Sequence, residues 1–426
     1  MYLRKVRIKN VRAIAELEWS IPKGKEAGWH VIIGDNGSGK STVLRAIALA
    51  LVGPKEAIAL RQNWNDWLSR GERAGEIRLN ITNNYQVDKF SGSGNITYGV
   101  PLPVQLSFIR QNGEVELKKG AGLTAHRHVW GNKPGWFSAS YGPFRRFAGG
   151  DKDVDRIFLS NPKLASHLSV FGENVALTES LTWLKELQFK KLEEGAEGKL
   201  LDSLTTFINQ PDFLPHKARL TEVSSKGVEF VDGNDRTLLV EDLSDGYRSI
   251  LSMTFELVRQ LSRAYAPSRI FNEDRTRISA PGVVLIDEID AHLHPTWQRT
   301  IGIWLREHFP RMQFIVTTHS PLICQAATVG TVWRLPKPGT NETGHMLAGV
   351  ELDRLLYGSV LDAYGTEAFG EDINRSEESK RKLHRLAELN SKELHGELAS
   401  SERSEQEELR AALPTSAHAL TPNLEQ

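Results

Sequence analysis

The sequence predicts an α/β fold in which strands and helices alternate. Three short apolar runs, at residues 31–33, 283–286 and 314–316, have the composition of buried strands. Apolar residues at helical spacing follow the first run and precede the second, at residues 42–49 and 250–261. Strands and helices that alternate in this way are typical of a sheet covered by helices.

Strands are also predicted in the first third of the chain. Residues 3–9 alternate apolar and basic side chains, which is the period of a half-exposed strand. Apolar and β-branched runs near 77–81, 104–109 and 136–141 predict three more strands. The cluster of Ser, Gly and Asn at 91–95 predicts an exposed, hairpin-like excursion between them.

Helical spacing dominates from about residue 153 to 210 and again after residue 370. The first region predicts an inserted helical subdomain, with leucines at Leu181, Leu184, Leu187 and Leu192. Sheet character returns near 219–240. Leucines that predict a short helix near the end are Leu383, Leu386, Leu394 and Leu398. The last fifteen or so residues have the composition of a disordered tail.

Composition sets wide bounds on function. With 426 residues, 40% of them apolar, the chain can bury a large core in one complex domain or two. Basic and acidic residues balance at 53 each, so the net charge neither favours nor excludes nucleic acid. Cys324 is the only cysteine, which excludes an internal disulfide and favours a reducing compartment. Without an apolar run of membrane-spanning length or a secretory core, we expect a cytoplasmic protein with no membrane partner.

Residues Gly34–Ser41 have the spacing of a phosphate-binding loop. Backbone N–H groups can converge on anionic oxygens only where no Cβ blocks the approach, and the following helix adds its positive end. The glycines that suit this purpose are Gly34, Gly37 and Gly39. Lys40 would contact the β and γ phosphates, and the Ser41 hydroxyl would complete a Mg²⁺ shell. The segment therefore predicts binding of ATP or GTP.

The apolar run 283–286 ends in Asp287 and Glu288. A carboxylate at a strand tip can hold Mg²⁺ opposite Ser41, directly or through water. Glu288 can then orient or deprotonate the water that attacks the γ phosphate. This pair predicts the hydrolytic half of the site.

The segment Leu243–Arg248 precedes a long helical pattern. Ser244 can cap that helix, while Gly246 leaves its N–H groups bare and so creates a second anion site. A plain helix cap is the alternative interpretation.

His319 follows the apolar run 314–316. As a hydrogen-bond donor, it could reach the γ phosphate. A purely structural histidine at the end of a strand is the alternative.

In this order, the four sites resemble those of the ATP-binding-cassette (ABC) ATPases, and within them the branch of the chromosome-maintenance and Rad50-like heads. The resemblance covers residues 1–335. It identifies Gly34–Ser41 as Walker A, Leu243–Arg248 as the signature, Asp287 and Glu288 as Walker B with its catalytic glutamate, and His319 as the H-loop. Asn10–Arg12 resembles the early Asn-Phe-Arg element of those heads. The implied fold is an ABC ATPase head, a P-loop NTPase sheet with helices.

The resemblance implies ATP and Mg²⁺ as cofactors and a role for each site residue. The catalytic residues are Glu288 and His319, and the Mg²⁺ ligands are Ser41 and Asp287. The nucleotide-binding residues are Arg12, Asn36, Gly37, Ser38, Gly39, Lys40, Ser41 and Thr42. Signature residues that act on the nucleotide of another copy are Ser244, Asp245, Gly246 and Arg248. Two copies would sandwich two nucleotides, so a homodimer or a higher homo-oligomer is expected, associating on ATP binding and released by hydrolysis.

Finer features are similar to the OLD-like and anti-phage-defence ATPases. Walker B is followed by a His-Leu-His-Pro loop containing His292 and His294, which we interpret as a dimer contact rather than a metal site. Tyr141–Arg145 resembles the Tyr-Gly-Pro-x-Arg segment that those ATPases carry in place of a Q-loop. It contains no glutamine, and Gln105 and Gln111 are Q-loop candidates by proximity alone.

Four regions are predicted. The first ATPase lobe spans 1–152, the helical insertion 153–218, the second lobe 219–345, and a C-terminal helical extension with a disordered tail 346–426. The stretch between Walker A and the signature lacks sustained heptads, which argues against a long coiled coil. About ninety residues follow the H-loop region, too few for a TOPRIM nuclease domain with a linker.

The resemblance implies an ATPase subunit of a bacterial anti-phage defence complex, similar to the Septu-type, including retron-associated, or PARIS-type ATPases. Such a subunit controls a separate nuclease or toxic effector, and its turnover can be slow. The alternative is a DNA-binding repair or recombination ATPase of the Rad50/RecF-like type, which leaves nucleic acid open as a partner. Its contact face would comprise Arg145, Arg146, Lys152, Arg156, His126, Arg127, His128 and Trp130. An ordinary solvated face is the third interpretation of these charges.

Overall fold

The computed structural model describes residues 1–83, 88, 100–120, 125–130, 136–147, 161–172, 179–193, 195, 198–211, 213–340, 342–358 and 376–413. The chain divides into two compact units, Met1–Val360 and Leu361–Gln426. The predicted region boundaries at residues 152, 218 and 345 stay predictions. The predicted excursion at 91–95 and the predicted tail lie outside the described residues, apart from the end of the last helix.

The described strands of the first unit form three sheets. In chain order they are β1 (Tyr2–Val11), β2 (Ile14–Ser20), β3 (Gly28–Ile33), β4 (Ala74–Thr82), β5 (Leu102–Gln111), β6 (Glu114–Lys119), β7 (Ser138–Tyr141), β8 (Arg219–Val223), β9 (Val228–Val231), β10 (Thr237–Leu239), β11 (Gly282–Ile286), β12 (Met312–Thr317), β13 (Gly330–Arg334) and β14 (His345–Met346). The predicted strands near 3–9, 77–81, 104–109 and 136–141 are confirmed as β1, β4, β5 and β7.

Helices of the first unit are α1 (Lys40–Val52), α2 (Pro54–Ala57), α3 (Pro162–Ala165), α4 (Glu179–Leu192), α5 (Gly198–Ile208), α6 (Asp245–Ala264), α7 (Pro295–His308), α8 (Pro321–Cys324) and α9 (Gly349–Tyr357). The second unit contains α10 (Glu377–Leu394) and α11 (Ser400–Ala412). No helix in the ranges described above combines the length and the apolar character needed to cross a membrane.

A six-stranded sheet, ordered β14-β13-β3-β12-β11-β7, carries the predicted apolar runs. Its strands from β13 to β7 are parallel, and β14 is antiparallel to β13. Strands β3, β11 and β12 are buried along their whole length, which explains why they appear in the sequence as continuous apolar runs. The register pairs Val316 with Val31 on one side and with Ile286 on the other, so the carboxyl ends of the three strands align.

A five-stranded antiparallel sheet, ordered β2-β1-β4-β5-β6, lies over the other side of α1. Helix α1 contacts strands of both sheets, which explains why ten of its thirteen residues are buried. A helix that is apolar on every side is expected only where it is enclosed. The enclosed helix brings the phosphate loop, which immediately precedes it, to the carboxyl edge of the six-stranded sheet.

The predicted helical region is confirmed in its described part by α3, α4 and α5. All four predicted leucines lie in α4, and Leu181, Leu184 and Leu187 are buried. Leu192 is the last residue of α4 and is 71% exposed.

In the second unit, α10 and α11 pair through polar contacts, with Arg385 donating to Glu405 at 2.9 and 3.0 Å. Leu386 and Leu389 are buried, whereas Leu394 is 87% exposed. The helix predicted from Leu383 to Leu398 is confirmed as far as Leu394, whereas Leu398 lies after its end, in the connection to α11.

Candidate active site

The phosphate loop connects β3 to α1 and has a conformation that its glycines permit. Gly37 and Gly39 have φ angles of +81° and +100°, in the left-handed region that side chains disfavour. A Cβ on Gly34 would lie 2.6 Å from the Ser38 Oγ. The loop is therefore closely folded on itself at the amino end of α1. Its N–H groups belong to the type of helix start that binds anions.

Lys40 is buried and its ammonium group bridges the loop. Nζ donates to the Gly34 carbonyl at 2.7 Å and to the Asp35 carbonyl at 3.0 Å. Burial lowers the pKa of Lys40, and the nearby carboxylates of Glu288 and Asp287 oppose that shift. Lys40 and the carboxylates of Walker B therefore occupy one electrostatic environment.

Polar groups around Lys40 remain available to a ligand. The Ser38 Oγ is buried and has no hydrogen-bond partner within the part of the chain that the structure describes. Asn36 and Gly37 are exposed, and Ser41 and Thr42 are half-buried in the first turn of α1. An orphaned buried hydroxyl costs free energy unless a ligand or water satisfies it.

Asp287 and Glu288 of Walker B are both hydrogen-bonded to Thr317, a residue to which the sequence motifs assigned no role. The Thr317 hydroxyl donates to the Asp287 Oδ1 at 2.6 Å and accepts from the Glu288 N–H at 2.8 Å. The parallel register places Thr317 beside Asp287, one step beyond the pair of Ile286 with Val316. Asp287 and Thr317 are both fully buried, while Glu288 is half-buried.

The backbone of the loop after β11 is strained at two positions. Glu288 has a φ of +46° and His292 a φ of +65°, both in the left-handed region. For residues with side chains this region costs of order 1–3 kcal/mol, and it persists only where surrounding contacts impose it. Such strain concentrates at functional sites.

His319 lies just after β12 and is exposed. Partial desolvation of its ring by the surrounding protein lowers the pKa of His319, and the Lys40 ammonium lowers it further. The neighbouring Thr318 hydroxyl donates to the Asp290 carboxylate at 2.5 Å. The imidazole is therefore neutral at neutral pH and shares the environment of Lys40.

The signature segment is arranged differently from the predicted helix cap. Ser244 occupies the N-cap position of α6 with extended backbone, but its side chain makes no capping hydrogen bond. The prediction that Ser244 caps the helix through its hydroxyl was wrong. The Ser244 side chain is exposed, so the hydroxyl is free to meet a ligand from outside the chain.

Neighbours of Ser244 are fixed within their own chain. Arg248 forms an ion pair with Asp245 and donates to the Glu241 carbonyl at 3.2 Å. Gly246 is buried against the loop after Walker B, where an added Cβ would lie 3.0 Å from the His292 carbonyl oxygen. The signature and that loop are therefore packed together in one chain.

His294 has a structural role at the start of α7. Its Nδ1 accepts from the Thr296 N–H at 3.3 Å, and Pro295 follows it in the first turn. This is the geometry of a helix cap. The interpretation of this loop as a dimer contact stays a prediction.

Arg12 lies in the turn between β1 and β2. Its guanidinium is 4.4 Å from the centre of the Trp67 ring, and burial together with the Arg45 charge lowers its pKa. Two residues on, Ile14 lies against Gly39, 3.2 Å from where a Cβ would be. The turn therefore touches the phosphate loop, and a nucleotide-binding role for Arg12 stays a prediction.

The predicted DNA-contact face is wrong at two of its members. Arg145 is 4% exposed and His128 8% exposed, so neither can neutralise phosphates at a surface. The Trp130 indole donates to the Ala50 carbonyl at 2.8 Å. Of the remaining members, His126, Arg127 and Arg146 are exposed, while Lys152 and Arg156 lie outside the described residues.

The two Q-loop candidates lie on β5 in the antiparallel sheet. Gln105 donates to Glu76 at 3.2 Å, and Gln111 accepts from Lys118 at 3.3 Å. Both side chains therefore have partners within that sheet.

Known proteins resemble this chain over most of its length. Residues 158–325 match the sequence model of the family described as "AAA domain, putative AbiEii toxin, Type IV TA system", and residues 5–211 match the one described as "AAA domain". The Septu protein PtuA of Bacillus mycoides (strain KBAB4) is 25% identical over 78% of this chain and 40% of its own length. The Retron Ec83 probable ATPase of Escherichia coli is 33% identical over 43% of this chain and 33% of its own length. The Retron Vc95 probable ATPase of Vibrio cholerae serotype O1 biovar El Tor is 24% identical over 76% of this chain and 72% of its own length.

The solved structures include an SMC head bound to the C-winged helix domain of ScpA. It is 17% identical, with a TM-score of 0.50, and the match covers 82% of this chain and 99% of that one. The chain therefore has the fold of an SMC head. It spans less than half the length of the first two curated relatives that it matches.

Sequence reasoning missed Thr317 and the partners of Arg145. Thr317 is a polar residue at the end of an apolar run. If the two strands had been assumed to be neighbours, this polarity would have predicted a contact between Thr317 and Walker B. Arg145 was recognised only as part of a resemblance and as a surface charge. Its burial depends on contacts with residues more than a hundred positions away.

Proposed function

We propose that the chain binds and hydrolyses Mg-ATP between two of its copies and acts as the ATPase subunit of a bacterial anti-phage defence complex. The observation that supports hydrolysis best is the alignment of the phosphate loop with the Asp287–Glu288 pair. The two lie at the carboxyl ends of β3 and β11, which flank β12 in the sheet. Two strand spacings separate them by about 10 Å, room for a triphosphate and its metal ion.

The donor set fits a magnesium nucleotide. Ser41 and Asp287 would hold Mg²⁺, which would neutralise charge on the phosphates. The loop residues Asn36 to Thr42 would bind the phosphate oxygens through N–H groups and hydroxyls. The Ser38 hydroxyl, which has no partner among the described residues, and the buried Lys40 ammonium are suited to such a ligand.

Glu288 would take the proton of the attacking water. It is half-buried, and its main chain is held by the Thr317 hydroxyl. His319, neutral at neutral pH, would donate a hydrogen bond to the γ phosphate. Both roles need groups held in fixed positions rather than mobile ones, because orientation supplies much of the rate.

A second copy would complete the site. Ser244, with its exposed and uncapped hydroxyl, would meet the γ phosphate bound by the other chain, together with Asp245, Gly246 and Arg248. ATP binding would then favour a homodimer or a higher homo-oligomer, and hydrolysis would release it.

The defence role rests on the relatives named Septu protein and retron probable ATPase. In this role the subunit would control a separate nuclease or toxic effector through its nucleotide state. The proposed compartment is the cytoplasm.

The decisive experiment uses Glu288→Gln with the wild-type chain alongside. We expect the variant to bind ATP, to double its mass in light scattering with Mg-ATP, and to release phosphate at least about 10²-fold more slowly. Unchanged turnover would refute the role of Glu288. For the defence role, cells carrying the gene with its neighbours should resist phage, and Glu288→Gln should abolish that resistance. Equal plaque counts with and without the intact locus would refute it.

A further inference from the structure

Arg145 is a buried cation that forms no ion pair with a carboxylate among the residues that the structure describes. It lies just after β7 and is 4% exposed. Its guanidinium donates five hydrogen bonds, one to a hydroxyl and four to main-chain carbonyls. An arginine is rarely fully buried unless its charge and donors are satisfied, so this arrangement calls for an explanation.

Three of the carbonyls belong to Walker B and the residue after it. Nη1 donates to the Asp287 carbonyl at 2.9 Å, and Nη2 donates to the carbonyls of Glu288 at 3.2 Å and Ile289 at 3.4 Å. The planar guanidinium therefore forms hydrogen bonds with three successive peptide units. Nη1 also donates to the Gly142 carbonyl at 3.0 Å, which anchors the guanidinium to its own segment.

The remaining donor reaches the signature helix. Nε donates to the Ser249 Oγ at 2.9 Å, five residues after Ser244 on α6. Ser249 is fully buried, so water does not compete for this bond. One side chain therefore connects the signature helix to the catalytic loop of the same chain.

The held segment includes the strained residue. Glu288 adopts a φ of +46°, which an unrestrained residue would leave for the right-handed or extended region. Thr317 binds its N–H and Arg145 its carbonyl, so both ends of this residue are fixed. Burial lowers the pKa of Arg145 to about 10, and the carboxylates of Asp287, Asp290 and Glu288 oppose the shift, so the side chain is charged at neutral pH.

We propose that Arg145 is the positioning residue of the catalytic loop: it holds the main chain of Asp287, Glu288 and Ile289 and ties it to the signature helix through Ser249. The proposal rests on the proposed function, since it acts through Glu288. The hydrogen bonds from Arg145 would then keep Glu288 in its strained, left-handed conformation. Without the guanidinium, Glu288 relaxes away from its place while the phosphate loop stays intact.

The test compares Arg145→Lys and Ser249→Ala with the wild-type chain. Lysine keeps the charge but, as a point charge on a flexible stem, cannot hold three peptide units at once. We expect kcat to fall by about 10²-fold in Arg145→Lys and by about tenfold in Ser249→Ala, with KM for ATP within about threefold of wild type. The matched control is Arg306→Lys. Arg306 lies near the carboxyl end of α7 and, like Arg145, donates to a carbonyl and a hydroxyl, those of Ala326 and Thr328. Its kcat should not change.

Hydrogen exchange separates this proposal from the assignment of hydrolysis. Peptides covering 287–293 should exchange faster in Arg145→Lys, while those covering 34–44 should match the wild type. This result supports the proposal even if the wild-type chain hydrolyses no ATP, an outcome that would overturn only the proposed function. Unchanged exchange at 287–293, wild-type kcat in Arg145→Lys, or a rise in KM that matches the loss in kcat would overturn the positioning role.

Discussion

The Thr317 hydroxyl donates to the Asp287 carboxylate at 2.6 Å and accepts from the Glu288 N–H at 2.8 Å. One buried hydroxyl thus orients the proposed metal ligand and fixes the main chain of the proposed base. A hydrogen bond to a charged group contributes about 1.5–3 kcal/mol, and both partners would be left unpaired in the interior without it. Because Thr317 is fully buried, water cannot take the place of its hydroxyl in these two hydrogen bonds.

Thr317→Val removes that hydroxyl with little change of shape. We expect turnover to fall by roughly 10–100-fold and half-saturation by Mg²⁺ to shift to higher concentration, because the Asp287 carboxylate loses its orientation. Steady-state phosphate release over a Mg²⁺ series measures both. Thr317→Ser keeps the hydroxyl and should retain most activity. Equal turnover in the Val and Ser variants would contradict the assignment.

Lys40→Met should remove nucleotide binding without unfolding the chain. The Lys40 ammonium is buried among loop carbonyls, and methionine fills similar space without a charge to satisfy. ATP at about a hundred times its Kd should stabilise the wild-type chain by about 2.7 kcal/mol, seen as a rise in thermal midpoint. That rise should vanish in Lys40→Met and persist in Lys55→Ala, a change at an exposed lysine just after α1. A full ATP-induced rise in Lys40→Met would refute the role of Lys40.

The elements closest to the site were predictable because their sequence signals are local. A glycine-rich loop between an apolar strand and a helix has few alternatives, and β3, β11 and β12 are buried on both faces, so their apolar runs are continuous. Helix α1 follows the same logic, since its enclosed position demands apolar residues on every side.

The contacts that complete the site were not predictable, because they join residues far apart in sequence. The bond from Thr317 to Asp287 depends on which strands are neighbours and in what register. Arg145 has the composition signal of a surface charge, and only its tertiary partners explain its burial. Ser244 shows the converse, since a good capping residue at an N-cap position leaves its hydroxyl unused.

Ser244→Arg in one copy should block hydrolysis of the nucleotide that the other copy binds. The exposed Ser244 side chain has room for a larger residue in the isolated chain, so the variant should fold and bind ATP but fail to turn it over. A mixture of equal amounts with Lys40→Met should recover about a quarter of wild-type turnover, because half of random dimers are mixed and each contains one intact site. Phosphate release from the mixture and from each variant alone measures this. A mixture as inactive as its components would argue against a composite site.

Two histidines of the first unit are buried and neutral. His30 contacts the Thr331 hydroxyl through Nδ1 and the Glu26 carbonyl through Nε2, both at 3.0 Å. His167 lies between the hydroxyls of Ser138 and Ser140. Burial lowers the pKa of His30 to about 4 and that of His167 to about 3.

These two histidines predict a loss of stability in mild acid. An unfolded histidine has a pKa of about 6.5, so above that pH both states are neutral and the folded chain is not penalised. As the pH falls from 6.5 towards 4, the unfolded chain binds protons that folded His30 does not, which costs roughly 3 kcal/mol of unfolding free energy. Urea denaturation at pH 7.5, 6.0 and 5.0 should show this decline. His30→Asn, which stays neutral, should decline less steeply, and parallel curves for the variant and the wild type would show that His30 does not contribute.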